Sequence, residues 1–233
     1  MSFYNEWLNC QNTKKEEEFI SDFLNKVSCS NTPFYSGNSA EVDAAISVIC
    51  SVPIEEYIRL IDRMDLSAEV VSADIPQYSN FSAAVVRLPE ILEFYPKGLG
   101  FEEIGYQLKK SPTEGAGTKY GENHAKLAAM MDLVSISERP SKVEITSLGH
   151  FLVTVSLQEK KDLLVRLLLR EHIVKKLICS SKYNCSYREI VRGLADSTAE
   201  RRRSNVKSIL EYVLSDTSEC ERLDRIDWKV KRK

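Results

Sequence analysis

Residues 187–215 read YREIVRGLADSTAERRRSNVKSILEYVLS, and this stretch decides the fold that the sequence predicts. Ser186 is a good N-cap for a short helix over 187–194, and Glu189 lies at the capping-box spacing. Thr198 is a suitable N-cap for a second, longer helix, whose apolar positions recur at helical spacing: Val206, Ile209, Leu210, Val213 and Leu214. A short helix, a capped turn and a longer basic helix form the pattern of a helix-turn-helix.

The second helix of this pattern carries three consecutive arginines near its start. In a helix-turn-helix, the N-terminal half of the second helix enters the major groove of DNA. Arginine suits this position because its planar guanidinium forms bidentate bonds to phosphate or guanine. We therefore predict DNA contacts from Arg188, Arg201, Arg202, Arg203, Ser204 and Lys207. The alternative is a solvated helix face, whose charge Glu200 partly offsets.

The net charge of −2 conceals an uneven distribution along the chain. Residues 1–100 contain 7 Lys and Arg against 15 Asp and Glu, whereas residues 182–233 contain 13 against 9. An acidic first part and a basic last part favour a negatively charged ligand for the C-terminal half.

Residues 86–157 predict a second unit of the same type. Helically spaced apolar residues predict helices over 85–95, over 101–109 and from about residue 118 to about residue 132. Alternating residues over 133–137 and 142–146 then predict a two-stranded hairpin. This order is typical of a winged helix, in which the third helix enters a groove and the wing straddles a phosphate backbone. The predicted contacts are Lys119, Tyr120, Asn123 and Lys126 on the helix, where Glu122 is also predicted to be exposed, and Arg139 and Lys142 on the wing.

The remaining segments are predicted to be mainly helical. Residues 1–85 predict a helical packing or oligomerisation domain, with helices over 14–26, from about residue 39, and from Pro53 to about Met64. Residues 158–233 predict the second winged helix, led by the longest helix of the chain over 158–179. Residues 220–230 alternate and predict a short strand pair or an extended tail.

The composition limits the chemistry that the chain can perform. The six cysteines form no CxxC pair and the chain has only three histidines, so we predict no zinc site and no cofactor. No apolar run approaches the length of a membrane span, and the N-terminus lacks a signal pattern. We therefore expect a cytoplasmic protein with no membrane partner.

Two segments resemble a known family. The residues 120–128 (YGENHAKLA), 133–136 (LVSI) and 145–149 (ITSLG) look like the winged-helix modules of bacterial restriction-modification proteins. Residues 187–190 and 197–208 are similar to the second module of such proteins, where a Thr-x-x-Arg-Arg pattern opens the recognition helix. The resemblance covers residues 86–215 and implies sequence-specific binding of duplex DNA. It implies no nuclease, because the catalytic domain of that family lies elsewhere.

The sequence therefore predicts a mainly α protein with a helical domain over 1–85 and winged helices over 86–157 and 158–233. We expect it to bind duplex DNA without catalysis of its own, alone, as a homodimer or with a partner subunit. One alternative is a restriction-like endonuclease that uses Mg²⁺ at the acidic residues Asp62, Asp65, Glu69 and Asp74. A second alternative is a protein-interaction scaffold built from winged helices.

Overall fold

A computed structural model describes residues 13–25, 39–109, 115–138 and 141–230. Within these ranges the chain is mainly helical, as the sequence predicts, with eleven α-helices and two small two-stranded sheets. The helices are α1 (Thr13–Leu24), α2 (Ser39–Ser51), α3 (Ile54–Ile61), α4 (Leu88–Leu92), α5 (Phe101–Lys109), α6 (Ala116–Met130), α7 (Ser147–Thr154), α8 (Leu157–Leu169), α9 (His172–Ser180), α10 (Tyr187–Ile190) and α11 (Asp196–Leu214). The strands are β1 (Val134–Glu138), β2 (Ser141–Ile145), β3 (Cys185–Ser186) and β4 (Ile226–Asp227).

The described residues form two compact units. The first unit combines residues 13–25, 47–75 and 162–230, and the second contains residues 39–46, 76–109, 115–138 and 141–161. Both units are therefore discontinuous in sequence. The predicted domain limits at residues 85 and 157 stay a prediction.

Buried basic side chains cap the ends of the early helices in the first unit. Arg170 Nε lies 3.1 Å from the Phe23 carbonyl oxygen, and Lys175 Nζ lies 2.8 Å from that of Leu24, at the end of α1. Arg166 Nη2 donates to the carbonyls of Cys50 and Val52 at the end of α2. The last carbonyls of a helix have no partner within the helix and carry its negative dipole end. These cations therefore satisfy backbone groups that would otherwise be buried without a hydrogen bond.

The predicted long helix over 158–179 is wrong at one point, because the structure breaks it into α8 and α9. Glu171 has φ −75° and ψ 134°, which is an extended conformation, and it precedes the first residue of α9. Arg170 and Glu171 are both buried at this break. Arg170 turns toward the end of α1, so a tertiary contact outweighs the local preference for a continuous helix.

The helix-turn-helix pattern of residues 187–215 folds as two helices, with corrected boundaries. The first, α10, ends at Ile190, four residues earlier than predicted. The second, α11, begins at Asp196 after Ala195, so Thr198 is not its N-cap. Arg188 explains why α11 starts before the predicted N-cap Thr198. Its guanidinium binds both the Asp196 carboxylate and the Val191 carbonyl across the turn.

The last described residues of the first unit, 220–230, pack beside the start of its helix-turn-helix. Residues Cys220–Leu223 form a 3₁₀ turn, and β4 then pairs in parallel with β3, which joins α9 to α10. Trp228 follows β4 and packs against Tyr187, with ring centroids 5.4 Å apart. The strand pair allowed by the sequence is thus formed with β3, and the described residues after α11 contain no antiparallel hairpin.

The second unit contains the predicted helices and hairpin in the predicted order. A π-helical turn over Ala83–Arg87 leads into α4, and α5 and α6 follow. Strands β1 and β2 pair antiparallel from Val134–Ile145 to Glu138–Ser141. Leu99, between α4 and α5, adds an antiparallel bridge to Val143. Asp132 has φ 59° and ends α6 in a left-handed turn that leads the chain into β1.

Glycines let α5 and α6 approach backbone to backbone. A Cβ on Gly121 would lie 1.9 Å from the Phe101 carbonyl oxygen, and one on Gly105 would lie 2.0 Å from that of Gly117. No side chain fits in either space. The third helix was predicted from about residue 118, whereas α6 begins at Ala116 and so includes Gly117 at the contact with α5.

Candidate nucleic-acid interface

Helix α11 presents one polar stripe to solvent. Its buried positions pack inward and include Ala199, Val206, Ile209, Leu210 and Val213. Its exposed positions recur three or four residues apart, at Ser197, Arg201, Ser204, Lys207, Ser208 and Glu211. The predicted residues Arg201, Ser204 and Lys207 therefore share one face. Ser197 and Ser208 belong to the same face but were not among the predicted contacts, although their spacing to Arg201 and Ser204 could have indicated them.

Arg201 is the member of the arginine triplet that remains available. It is exposed, and it makes no hydrogen bond or ion pair within the described part of the chain. Ser197, Ser204 and Ser208 are its neighbours on the stripe, and all are small. A long cation among small side chains can reach a surface that approaches the helix closely.

Arg202 points instead into its own unit. Its Nη1 atom donates to the carbonyl oxygen of Ser72 at 3.1 Å and also to that of Ile75. Burial, together with the adjacent positive charge of Arg201, lowers the pKa of Arg202. Arginine nevertheless keeps its proton in proteins, so Arg202 acts as a fixed cation that ties α11 to residues 72–75.

The other predicted cations of the first unit form ion pairs. Arg203 Nη2 lies 2.9 Å from Glu200 Oε1, and Arg188 Nη2 lies 2.6 Å from Asp196 Oδ1. Lys207 Nζ lies 3.6 Å from Glu211 Oε1 in a pair that is about half exposed. Exposed pairs of this kind are weak and exchange readily with other partners. Lys207 can therefore contact a ligand at small cost, whereas Arg188 and Arg203 hold the turn and the helix start.

Helix α6 carries a second polar stripe, in the second unit. Lys119 and Lys126 are exposed, and Glu122 and Asn123 lie between them, half-buried. Glu122 accepts from both lysines, with Oε2 2.8 Å from Lys119 Nζ and Oε1 2.5 Å from Lys126 Nζ. These hydrogen bonds lower the pKa of Glu122, so the carboxylate is ionised at neutral pH. Three of the four predicted helix contacts, Lys119, Asn123 and Lys126, thus lie on one face.

Tyr120 differs from the other predicted contacts because its ring packs against the helix. It stacks on His124 at a centroid distance of 4.0 Å, and Lys109 Nζ lies 5.4 Å from its centroid. His124 is buried, and its Nδ1 atom lies 2.7 Å from the Tyr120 carbonyl oxygen. Burial lowers the pKa of His124, which favours its neutral form. The two rings therefore pack on each other one turn apart along α6.

One of the two predicted wing residues is described. Lys142, in β2, donates from Nζ to the carbonyl oxygen of Lys97 at 3.2 Å and stays partly exposed. Its ammonium lies near the bridge between Leu99 and Val143. Arg139 lies outside the described residues.

The acidic group of the endonuclease alternative is bound locally. The Asp62 carboxylate pairs with Arg222 at 2.8 Å, and Glu69 pairs with Arg192 at 3.0 Å. Asp65 accepts from the Ser67 amide and Asp74 from the Val71 amide. Over the described ranges, no three histidine, cysteine, aspartate or glutamate side chains are grouped so that they could hold a metal ion.

None of the described helices combines the length and the apolar character needed to span a bilayer. No protein-family model, curated protein or solved structure matches the chain. The chemistry of the α11 and α6 stripes is therefore the basis for a functional conclusion.

Proposed function

We propose that the chain binds double-stranded DNA through two helix-turn-helix pairs, with α11 and α6 as the recognition helices and without catalysis of its own. The pair that contains α6 is followed by the β1–β2 hairpin as a wing, whereas the described residues after α11 form no such hairpin. Each helix is the second of a helix-turn-helix pair and has one apolar face and one polar face. A DNA-binding helix-turn-helix places the second helix in the major groove, where the first turns contact base edges and phosphates. Lys119 lies in the first turn of α6 and Arg201 in the second turn of α11, whereas Lys126 and Lys207 lie further along their helices.

The proposal depends mainly on one observation, which is the exposure of the Arg201 guanidinium and the partners that it does or does not bind. Arg201 is exposed in the second turn of α11 and has no hydrogen-bond or ion-pair partner among the described residues, while Arg202 and Arg203 beside it bind groups of their own unit. An unpaired guanidinium in this position suits a phosphate or the O6 and N7 atoms of guanine. The small serines of the stripe leave room for the helix to approach the groove.

The second unit supports the proposal through its order of elements. Helices α4, α5 and α6, the bridge at Leu99 and the β1–β2 hairpin follow one another as in a winged helix. Lys142 on the hairpin supplies a cation for a phosphate. We also propose a restriction-modification setting, and this part rests only on the resemblance of residues 86–215.

Titration of a fluorescent duplex at rising salt tests the proposal. Binding through phosphates releases counterions, so the logarithm of the affinity should fall linearly as the logarithm of the salt concentration rises. Affinity at low salt that weakens steeply is the expected result. If the protein binds no duplex at low salt, the proposal fails and the scaffold alternative replaces it.

The same titration with Mg²⁺ present separates binding from cleavage. We expect an intact duplex, because Asp62, Asp65, Glu69 and Asp74 each bind a group of the chain itself. Cleavage products that disappear with a chelator would instead support the endonuclease alternative.

A further inference from the structure

The centre of the polar stripe on α6 is a carboxylate. Glu122 lies one helical turn from Lys119 and one from Lys126, and it binds both ammonium groups. The Glu122 side chain is 23% exposed, against 61% for each lysine, so the carboxylate is the most shielded charge of the three. The three side chains form what we call the α6 triad.

The α6 triad is poorly suited to phosphate contacts alone. Its two cations are offset by one anion, and both ammonium groups are held by that anion. A carboxylate that faces DNA repels the phosphates and is disfavoured in a purely electrostatic interface. Helix α11 is different, because Arg201 has no such partner. The two helices therefore differ in the contacts that they can make.

A carboxylate has one well-matched partner in the major groove. It accepts a hydrogen bond from the N4 amino group of cytosine. The position next to that amino group on cytosine is a C–H, whereas the amino group of adenine lies beside the acceptor N7, which repels a carboxylate. Lys119 and Lys126 lie on either side of Glu122 and can offset the repulsion between its charge and the flanking phosphates.

We propose that Glu122 is a specificity-determining residue, which selects a cytosine in the major groove and disfavours duplexes that lack one at that position. This inference rests on the proposed function, because it requires α6 to enter DNA. The hydrogen bonds from both lysines lower the pKa of Glu122 and keep it ionised, so it can only accept hydrogen bonds. Asn123 beside it can both donate and accept and is not restricted in this way.

Selection from a pool of randomised duplexes, followed by sequencing, tests the inference with the wild type and Glu122→Gln. Glutamine has the same shape and pairs with adenine through N6 and N7. The wild type should enrich a C·G pair at one position, and the variant should prefer A·T there with the other positions unchanged. Discrimination at that position should change by about 5- to 150-fold, as for one good base contact.

A matched control removes a carboxylate elsewhere. Glu18 is an exposed residue of α1, and Glu18→Gln causes the same change in net charge. It should leave the enriched sequence unchanged. The inference is overturned if Glu122→Gln enriches the same sequence as the wild type, if Glu18→Gln shifts it equally, or if the wild type binds duplexes without preferring cytosine at any position.

The proposed DNA binding and the proposed role of Glu122 would be contradicted by different results. If the wild type has no affinity for any duplex at low salt, the proposed function itself is wrong. If it binds duplexes and Glu122→Gln changes no base preference, DNA binding stands and only the role of Glu122 is wrong. Equal thermal unfolding of the wild type and both variants would show that the comparison concerns folded protein.

Discussion

The Arg222 guanidinium and the Asp62 carboxylate form two hydrogen bonds, Nη1 to Oδ1 at 2.9 Å and Nη2 to Oδ2 at 2.8 Å. Their side chains are only 7% and 13% exposed. Arg222 also binds Glu219 and the Ile178 carbonyl. One side chain therefore joins the end of α3, the end of α9 and the turn after α11 in the first unit.

Removal of Arg222 should strongly destabilise the first unit. Arg222→Ala leaves the Asp62 carboxylate nearly buried without its main partner, which costs about 3–5 kcal/mol in the free energy of unfolding. Urea unfolding followed by circular dichroism measures this loss. Lys207→Ala is the matched control because its pair with Glu211 is about half exposed, and it should cost about 1 kcal/mol or less. Similar losses in the two variants would contradict a structural role for the buried pair.

Gly121→Ala should disrupt the second unit. The added Cβ would lie 1.9 Å from the Phe101 carbonyl oxygen and 2.8 Å from the Gly105 nitrogen, and neither backbone group can move alone. The cost should reach or exceed about 3 kcal/mol, the upper end for overpacking. Gly100→Ala is the control because its nearest neighbour is the end of the flexible Glu103 side chain at 3.3 Å. Thermal unfolding measures the difference. If Gly121→Ala were as stable as Gly100→Ala, the close contact between α5 and α6 would be contradicted.

The wild type should lose stability in acid partly through His124. Burial lowers the pKa of His124 below its ordinary value of 6.5, so the unfolded chain binds the proton more tightly. The stabilisation is complete above 6.5 and decreases as the pH falls toward the lowered pKa. His124→Gln has no such group and should show a smaller drop in melting temperature between about pH 7.5 and about pH 5.5. Equal drops in the two proteins would show that His124 is not held neutral by burial.

The arginine triplet should separate into structural and exposed members. Arg202→Ala removes the donor to the Ser72 and Ile75 carbonyls and should lower the free energy of unfolding by about 1–3 kcal/mol. Arg201→Ala removes an exposed side chain without a partner and should stay within about 0.5 kcal/mol of the wild type. Denaturant unfolding of the two variants checks this contrast, and the reverse order of stabilities would contradict it.

Local patterns in the sequence predicted most elements but few of the contacts between them. The hairpin was predictable because alternation over 133–137 and 142–146 is a local signal, and the strands form within one residue of those limits. The break at Arg170 was not, because it depends on a carbonyl at Phe23, far away in sequence. The approach of Gly121 to Phe101 likewise involves two helices that apolar periodicity treats separately.

In the candidate interface too, local spacing was predictable from the sequence and the tertiary contacts were not. Helical spacing placed Arg201, Ser204 and Lys207 on α11 and placed Lys119, Asn123 and Lys126 on α6. The same spacing places Arg202 on the apolar face with Ala199 and Val206. It could not identify the carbonyls of Ser72 and Ile75 that hold Arg202, because they come from a distant segment. The stacking of Tyr120 on His124 could not be predicted from the sequence either, because the burial of His124 depends on tertiary packing.

The affinity of Arg201→Ala for duplex DNA, measured by fluorescence anisotropy across a salt series, tests the central claim most directly. Arg63→Ala is the matched control, because Arg63 is an exposed arginine of the same unit that lies outside α11. We predict that Arg201→Ala weakens binding by about 1–3 kcal/mol if Arg201 contacts a base, or lowers the salt slope by about 1 if it contacts a phosphate. Arg63→Ala should bind as the wild type does. Wild-type affinity and an unchanged salt slope in Arg201→Ala would contradict the claim that α11 contacts DNA through Arg201.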